Sequence, residues 1–210
     1  MNAFIDYLAK NGDKLLELTI EHIAMVASGL GLALLVGVPL GIVCARRERL
    51  GKWILHAANV IQVFPSLALL ALLMIVLGLG FKTVVVGLFL YSLLPIIRNT
   101  SVGLKQVDKG VVEAGRGIGM SPMQLLWKVQ FPLSLPFLLA GIRVATVIAI
   151  GVATIAPLIG GDGLGKEIYA GINMRNDIRI FAGAVPAALL AIAADAFLGR
   201  WEKKINAYNN

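Results

Sequence analysis

The sequence predicts an all-α membrane protein, a polytopic helical bundle with about five transmembrane spans. Three observations carry this prediction. The 210 residues are 58% hydrophobic and 15% charged, whereas a soluble domain is ~45–50% apolar and ~25% charged. The apolar residues fall in charge-free blocks of about 20, enough to cross a ~30 Å hydrocarbon core at ~1.5 Å per helical residue. The ~10-residue alternating pattern of an outer-membrane barrel does not occur.

Residues 1–18 carry Asp6, Lys10, Asp13, Lys14 and Glu17. A signal peptide needs a basic start and an unbroken apolar stretch, so this piece is expected to be a polar or amphipathic lead-in. The first span is expected over 20–45, where Gly37 and Gly41 form a small-xxx-small pair that lets another helix approach closely. The second is expected over 53–77 with Pro65 inside it, which kinks or breaks a helix. A turn at Gly78 and Gly80 leads to a third span over 83–97, with an extension towards 104. The fourth is expected over 133–159 and the fifth over 178–198.

Orientation follows from the basic residues. Arg46, Arg47, Arg49, Lys52, Lys105, Lys109, Arg116, Lys128, Arg200, Lys203 and Lys204 fall on one side of this arrangement. The positive-inside rule makes that side cytoplasmic, with the N-terminus outside and the C-terminus inside. The net charge of +7 has the same origin and does not point to nucleic acid. Cys44 is the lone cysteine, and His22 and His56 lack metal-ligand spacing. No metal and no cofactor are expected. The whole chain, 1–210, reads as a single transmembrane domain, with 105–132 as a cytoplasmic loop inside it.

That loop contains "EAGRGIGMSPMQLLWKVQFP", residues 113–132. Ser121, Pro122 and Gln124 stand as N-cap, N1 and N3 of a capping box. The helix they start presents Leu125, Leu126 and Val129 on one face, with Trp127 and Lys128 suited to a membrane interface, and is expected to end at Pro132. Residues 113–118 suit a short helix, with Gly119 in its left-handed C-terminal turn. Two short helices at a corner fit either a partner's groove or a lipid surface.

Other polar residues in the spans are candidate pathway groups. Asn59, Gln62 and Ser66 stand at i, i+3 and i+7, one helix face. They line a pathway or bond neighbouring helices. Pro65 is a candidate gate beside them, with Phe64 as an aromatic for a cationic ligand together with Phe89 and Tyr91. Thr154 is a further candidate, and so more weakly is Thr146, since threonine bonds its own helix backbone. Arg98 and Arg143 suit interfacial snorkelling. Asp195 suits a paired acid more than a proton relay.

The segment "GGDGLGKE" satisfies G-x-x-x-x-G-K through Gly160, Gly165 and Lys166. Glu167 stands where Ser or Thr must reach Mg²⁺, and the segment follows a membrane helix. It is therefore expected to be an extracytoplasmic loop or re-entrant turn. No Ser/His, Ser/Lys or paired-Asp constellation for an intramembrane enzyme is present.

Residues 113–132 resemble the cytoplasmic "EAA" loop of ATP-binding-cassette (ABC) importer permeases. Glu113, Ala114, Gly119 and Pro132 match its pattern; Gly115, Val129 and Phe131 depart from it by small or apolar exchanges. "IQVFPSLALLALL" (61–73), "LLPIIRNTSVGLKQVD" (93–108) and "LIGGDGLGKEI" (158–168) are similar to the glycine betaine/carnitine/choline branch of osmoprotectant permeases. The resemblance implies a type I importer permease fold in the cell membrane and no catalysis in this chain. It implies ABC ATPase subunits on the cytoplasmic side, an extracytoplasmic substrate-binding protein, and a second permease copy or paralogue around one pathway. It also implies that Glu113, Ala114, Gly115, Gly119, Met120 and Ser121 form the coupling contact with the ATPase. The alternatives are an ABC permease for another small solute and a secondary transporter or channel subunit, the latter predicting an intramembrane charge relay.

Overall fold

A computed structural model describes the backbone of residues 2–209 and the side chains of 4–206. All regular elements among the described residues are helical. The polar lead-in is helix: α1 (Asn2–Lys10) turns at Asn11 into α2 (Gly12–Arg46), which continues through Pro39. The helix that holds the first span therefore begins well before residue 20. Arg47 is extended and ends α2, and α3 (Glu48–Val63) follows.

The expected second span is two helices. Pro65 has no N–H to continue the ladder and disfavours the α conformation at Phe64. Phe64 and Pro65 are both extended, with ψ of 136° and 133°. α4 (Ser66–Leu77) leaves the break bent by 99° from α3. The Tyr91 hydroxyl donates to the Phe64 carbonyl that the break leaves free. Gly78 and Gly80, with φ of 83° and 110°, make the turn into α5 (Phe81–Gln106). α5 includes the extension to residue 104.

α6 (Lys109–Gly117) and α7 (Pro122–Leu125) form the corner. α7 does not end at Pro132. A π-helical turn, Leu126–Gln130, carries it into α8 (Phe131–Ala153). In this turn the Phe131 N–H reaches back to the Leu126 carbonyl. The wide turn accommodates a proline whose missing N–H would break an ordinary α ladder. The expected fourth span stops at Ala153, short of 159. Thr154 and Ile155 turn, a 3₁₀ helix spans Ala156–Ile159, and Gly160 closes it with φ of 78°. α9 (Gly165–Met174) and α10 (Asp177–Asn209) complete the chain. Among the described residues, four helices are long and apolar enough to cross a membrane, or five spans if α3 and α4 count as one.

The core is the packing of α2, α5 and α8. Met25, Leu70, Leu88, Ile150 and Ile159 form one cluster; Ala33, Ile96, Leu138 and Ala145 form another. Small residues set the approach. A Cβ at Gly37 would lie 2.9 Å from Ile96 Cγ2, and one at Gly41 would lie 2.5 Å from Thr100 Cβ. The glycine pair is thus a helix-packing seam, as the sequence suggests. Large apolar side chains such as Leu35, Trp53, Ile75 and Val76 are at least 74% exposed. In water they would make an aggregating surface; in a bilayer they face lipid.

Candidate functional site

The corner is built by paired caps. Asp108 caps α6, accepting from the Val111 N–H at 3.1 Å; the sequence reading missed this cap, whose signal is an Asp just before a helical run. α6 ends in a Schellman motif: the Met120 N–H donates to the Gly115 carbonyl at 3.1 Å, and the Gly119 N–H donates to the Arg116 carbonyl at 2.9 Å. Gly119 has φ of 84°, which a residue with a Cβ adopts at a cost. The capping box is complete. The Gln124 N–H donates to Ser121 Oγ at 3.3 Å, and the Ser121 N–H donates to Gln124 Oε1 at 2.8 Å.

Glu113, Ala114, Gly119 and Ser121 are exposed at this corner, Met120 is half-buried and Gly115 is buried. At Gly115, the departure from the EAA pattern, a Cβ would lie 2.7 Å from Leu125 Cδ1, so an alanine there would need Leu125 to shift. Leu125 and Leu126 are buried, and Trp127 and Lys128 are exposed. The two arms are thereby held at a fixed angle with a polar, small-residue tip. Arg46, at the end of α2, donates from Nη2 to the Pro122 carbonyl at 3.0 Å. A cavity of 340 Å³ lies beside this bond, lined by Arg46, Arg116, Met120, Pro122, Leu125 and Gln130.

The pathway candidates divide. Asn59, Phe64 and Pro65, with Val60 and Val63, line an open concavity of 350 Å³ at the α3–α4 break. Gln62 Oε1 is buried without a partner, which keeps it a candidate for a polar ligand or water. Ser66 does not continue the Asn59–Gln62 face, because the 99° bend intervenes. Thr154 lies at the end of α8, where its hydroxyl donates to the Gly151 carbonyl at 2.7 Å; Thr146 bonds the Ile142 carbonyl in the same manner. Tyr91 is buried and spends its hydroxyl on Phe64.

At the other end, Glu167 is fully buried and takes four hydrogen bonds. Tyr7 Oη and Arg179 Nε donate to Oε2 at 2.7 and 2.9 Å; Lys14 Nζ and Arg179 Nη2 donate to Oε1 at 2.6 and 3.2 Å. Burial pushes its carboxyl upwards, but the bonds from Arg179, Lys14 and Tyr7 outweigh it and hold the pKa down at about 2. Glu167 thus joins α9 to α1, α2 and α10. Lys166 pairs with Asp162 one turn before it. Sequence reasoning noted Glu167 only as a misfit to a phosphate loop. Asp195 is a paired acid: its oxygens accept from Arg143 Nε and Nη2 at 2.5 and 2.7 Å.

A family model described as "Binding-protein-dependent transport system inner membrane component" matches residues 37–207. The carnitine transport permease protein OpuCD of Listeria monocytogenes (strain 10403S) is 45% identical over 211 residues, covering 100% of this chain and 95% of that protein. The glycine betaine/carnitine/choline transport system permease protein OpuCD of Bacillus subtilis is 45% identical over 201 residues, covering 95% and 88%. The osmoprotectant import permease protein OsmW of Salmonella typhimurium is 44% identical over 202 residues, covering 93% and 94%. Among solved structures, a chain of the inward-facing MetNI methionine ABC transporter aligns with TM-score 0.82 at 21% identity, covering 91% of this chain and 95% of that one. An amino acid ABC transporter aligns at 0.78 and 17%, covering 94% and 97%. These two share the fold. With its apolar helices and a family match over most of its length, the chain belongs to the binding-protein-dependent transport system inner membrane components, multi-pass subunits of the cell membrane.

Proposed function

We propose that the chain is the permease subunit of an ABC importer for a compatible solute of the glycine betaine, carnitine and choline class. ATP is hydrolysed by separate ATPase subunits, and an extracytoplasmic binding protein delivers the solute. A second permease copy or paralogue completes the pathway. The whole chain works as one permease domain, and 105–132 is its cytoplasmic coupling loop. The relatives named above support the solute class. The observation that carries the mechanism is the α6–α7 corner, whose caps leave a rigid tip of Glu113, Ala114, Gly119 and Ser121.

Such a tip suits a groove in an ATPase. Glu113 offers a carboxylate to an Arg or Lys there, and Gly119 keeps the corner narrow. Closure of the ATPases pushes the corner and so displaces the helix bundle to which it is joined. The basic residues at the corner, Arg46, Arg116 and Lys128, support placing this end in the cytoplasm and the α9 end outside. The break at Phe64–Pro65, with Asn59 and Gln62 beside it, is the proposed gate and pathway element. Ser66, at the start of α4, belongs to the same element; Thr154 is a candidate on the α9 side. The bidentate pairing of Asp195 with Arg143 favours this reading over a proton-coupled transporter.

Glu113→Lys and Gly119→Leu are expected to abolish ATP-dependent uptake while the ATPase still co-purifies. Full uptake by both variants in assembled complexes would contradict the coupling role.

A further inference from the structure

α2 reaches functional elements at both of its ends. Its last residue, Arg46, donates to the Pro122 carbonyl at the first position of α7. In its first turn, Lys14 donates to Glu167 of α9, whose carboxylate also holds Arg179 of α10. About 48 Å of helix separates the two residues. Between them α2 is seamed to α5. Cβ atoms at Gly29, Gly37 and Gly41 would lie 2.7, 2.9 and 2.5 Å from Leu88 Cβ, Ile96 Cγ2 and Thr100 Cβ. Packing this close leaves the pair no freedom to slide. α5 in turn continues through Val107 and Asp108 into α6, the other arm of the corner.

The covalent route from the corner into the bundle is different in kind. It passes from α7 to α8 through the π turn Leu126–Gln130, next to Pro132. A π turn beside a proline interrupts the regular i→i−4 ladder and is where a displaced helix bends. The cavity of 340 Å³ between the end of α2 and the corner leaves room for such displacement. The guanidinium of Arg46 bridges that space and bypasses the compliant joint.

We propose that α2, stiffened by its seam to α5, is the rod that carries motion of the α6–α7 corner to the α9 end, with Arg46 and Lys14 as its positioning residues. This rests on the importer reading above. It assigns Arg46 a role distinct from its neighbour Arg47: Arg46 transmits force through a directed hydrogen bond, and Arg47 contributes charge alone.

The test uses the assembled transporter, with its ATPase and binding protein, in vesicles, and reads ATP hydrolysed per solute imported. Arg46→Ala and Lys14→Met are each expected to raise that ratio on the order of five-fold. The double variant is expected to raise it no further, because both act on one element in series. Arg46→Lys is expected to restore part of the coupling, and Arg47→Ala to leave the ratio unchanged. Unchanged ratios for both single variants overturn the proposal, as does a double variant equal to the product of the singles. If Arg46→Ala does not assemble, Lys14→Met decides alone, and a wild-type ratio there overturns the rod. A wild type that imports without ATP overturns the importer reading and the rod together. A wild type that imports on ATP beside variants of unchanged ratio overturns the rod only.

Discussion

Glu167 shows how one side chain organises an end of the molecule. It has no exposed surface and accepts from three side chains on three helices, α1, α2 and α10. Its pKa falls from a usual value of 4.5 to about 2. A depressed carboxyl contributes stability above the unfolded value and loses it as pH falls through the folded one. The clasp is therefore worth on the order of 3 kcal/mol above pH ~4.5, declining towards pH ~2. Hydrogen exchange in α1 and α9 is expected to rise over that pH window, and Glu167→Gln is expected to show raised exchange already at pH 7. Ser121 makes a smaller prediction. Ser121→Ala removes one half of the capping box and costs ~1 kcal/mol of local stability, read as faster exchange in Gln124 and Leu125. Unchanged exchange at those two amides would show that the corner is held by packing on Gly115 instead.

Among the elements, the α3–α4 break and the α2–α5 seam each depend on one contact type. At the break, Tyr91→Phe leaves the Phe64 carbonyl without its donor, at a cost of ~1–3 kcal/mol. Exchange protection in the first turn of α4 is expected to drop; retained protection would mean that Pro65 alone holds the bend. In the seam, Gly41→Leu places carbon into Thr100 and is expected to cost at least ~1–3 kcal/mol by overpacking, read as a lower melting temperature of the detergent-purified complex. Both features were partly legible in the sequence. Pro65 and the Gly37–Gly41 spacing act locally, so their effects follow from chemistry within a few residues. The partner at each was not legible, because Tyr91 and Thr100 are brought there by tertiary packing. Pro132 was misread for a related reason. A proline ends an α ladder, but a π turn ahead of it realigns the chain, and the Phe131 N–H on the Leu126 carbonyl shows that the helix goes on. The one-face alignment of Asn59, Gln62 and Ser66 assumed a continuous helix, and the break at Phe64 removes it.

On the scale of the whole molecule, charge-free blocks placed the apolar helices. That pattern is long enough for a single sequence to carry. The corner was legible too, since caps are local: Ser121, Gln124 and Gly119 do in the structure what their types suggest. The Glu167 clasp was not, because it joins Tyr7, Lys14 and Arg179 across 160, 153 and 12 residues of chain. The proposed function makes import of a compatible solute depend on an ATPase that drives the corner. The direct measurement is radiolabelled glycine betaine, carnitine or choline uptake into vesicles holding the chain with its partner ATPase and binding protein. Uptake is expected to require ATP and both partners and to be lost in Gly119→Leu. Uptake driven by an ion gradient in vesicles holding this chain alone would contradict it.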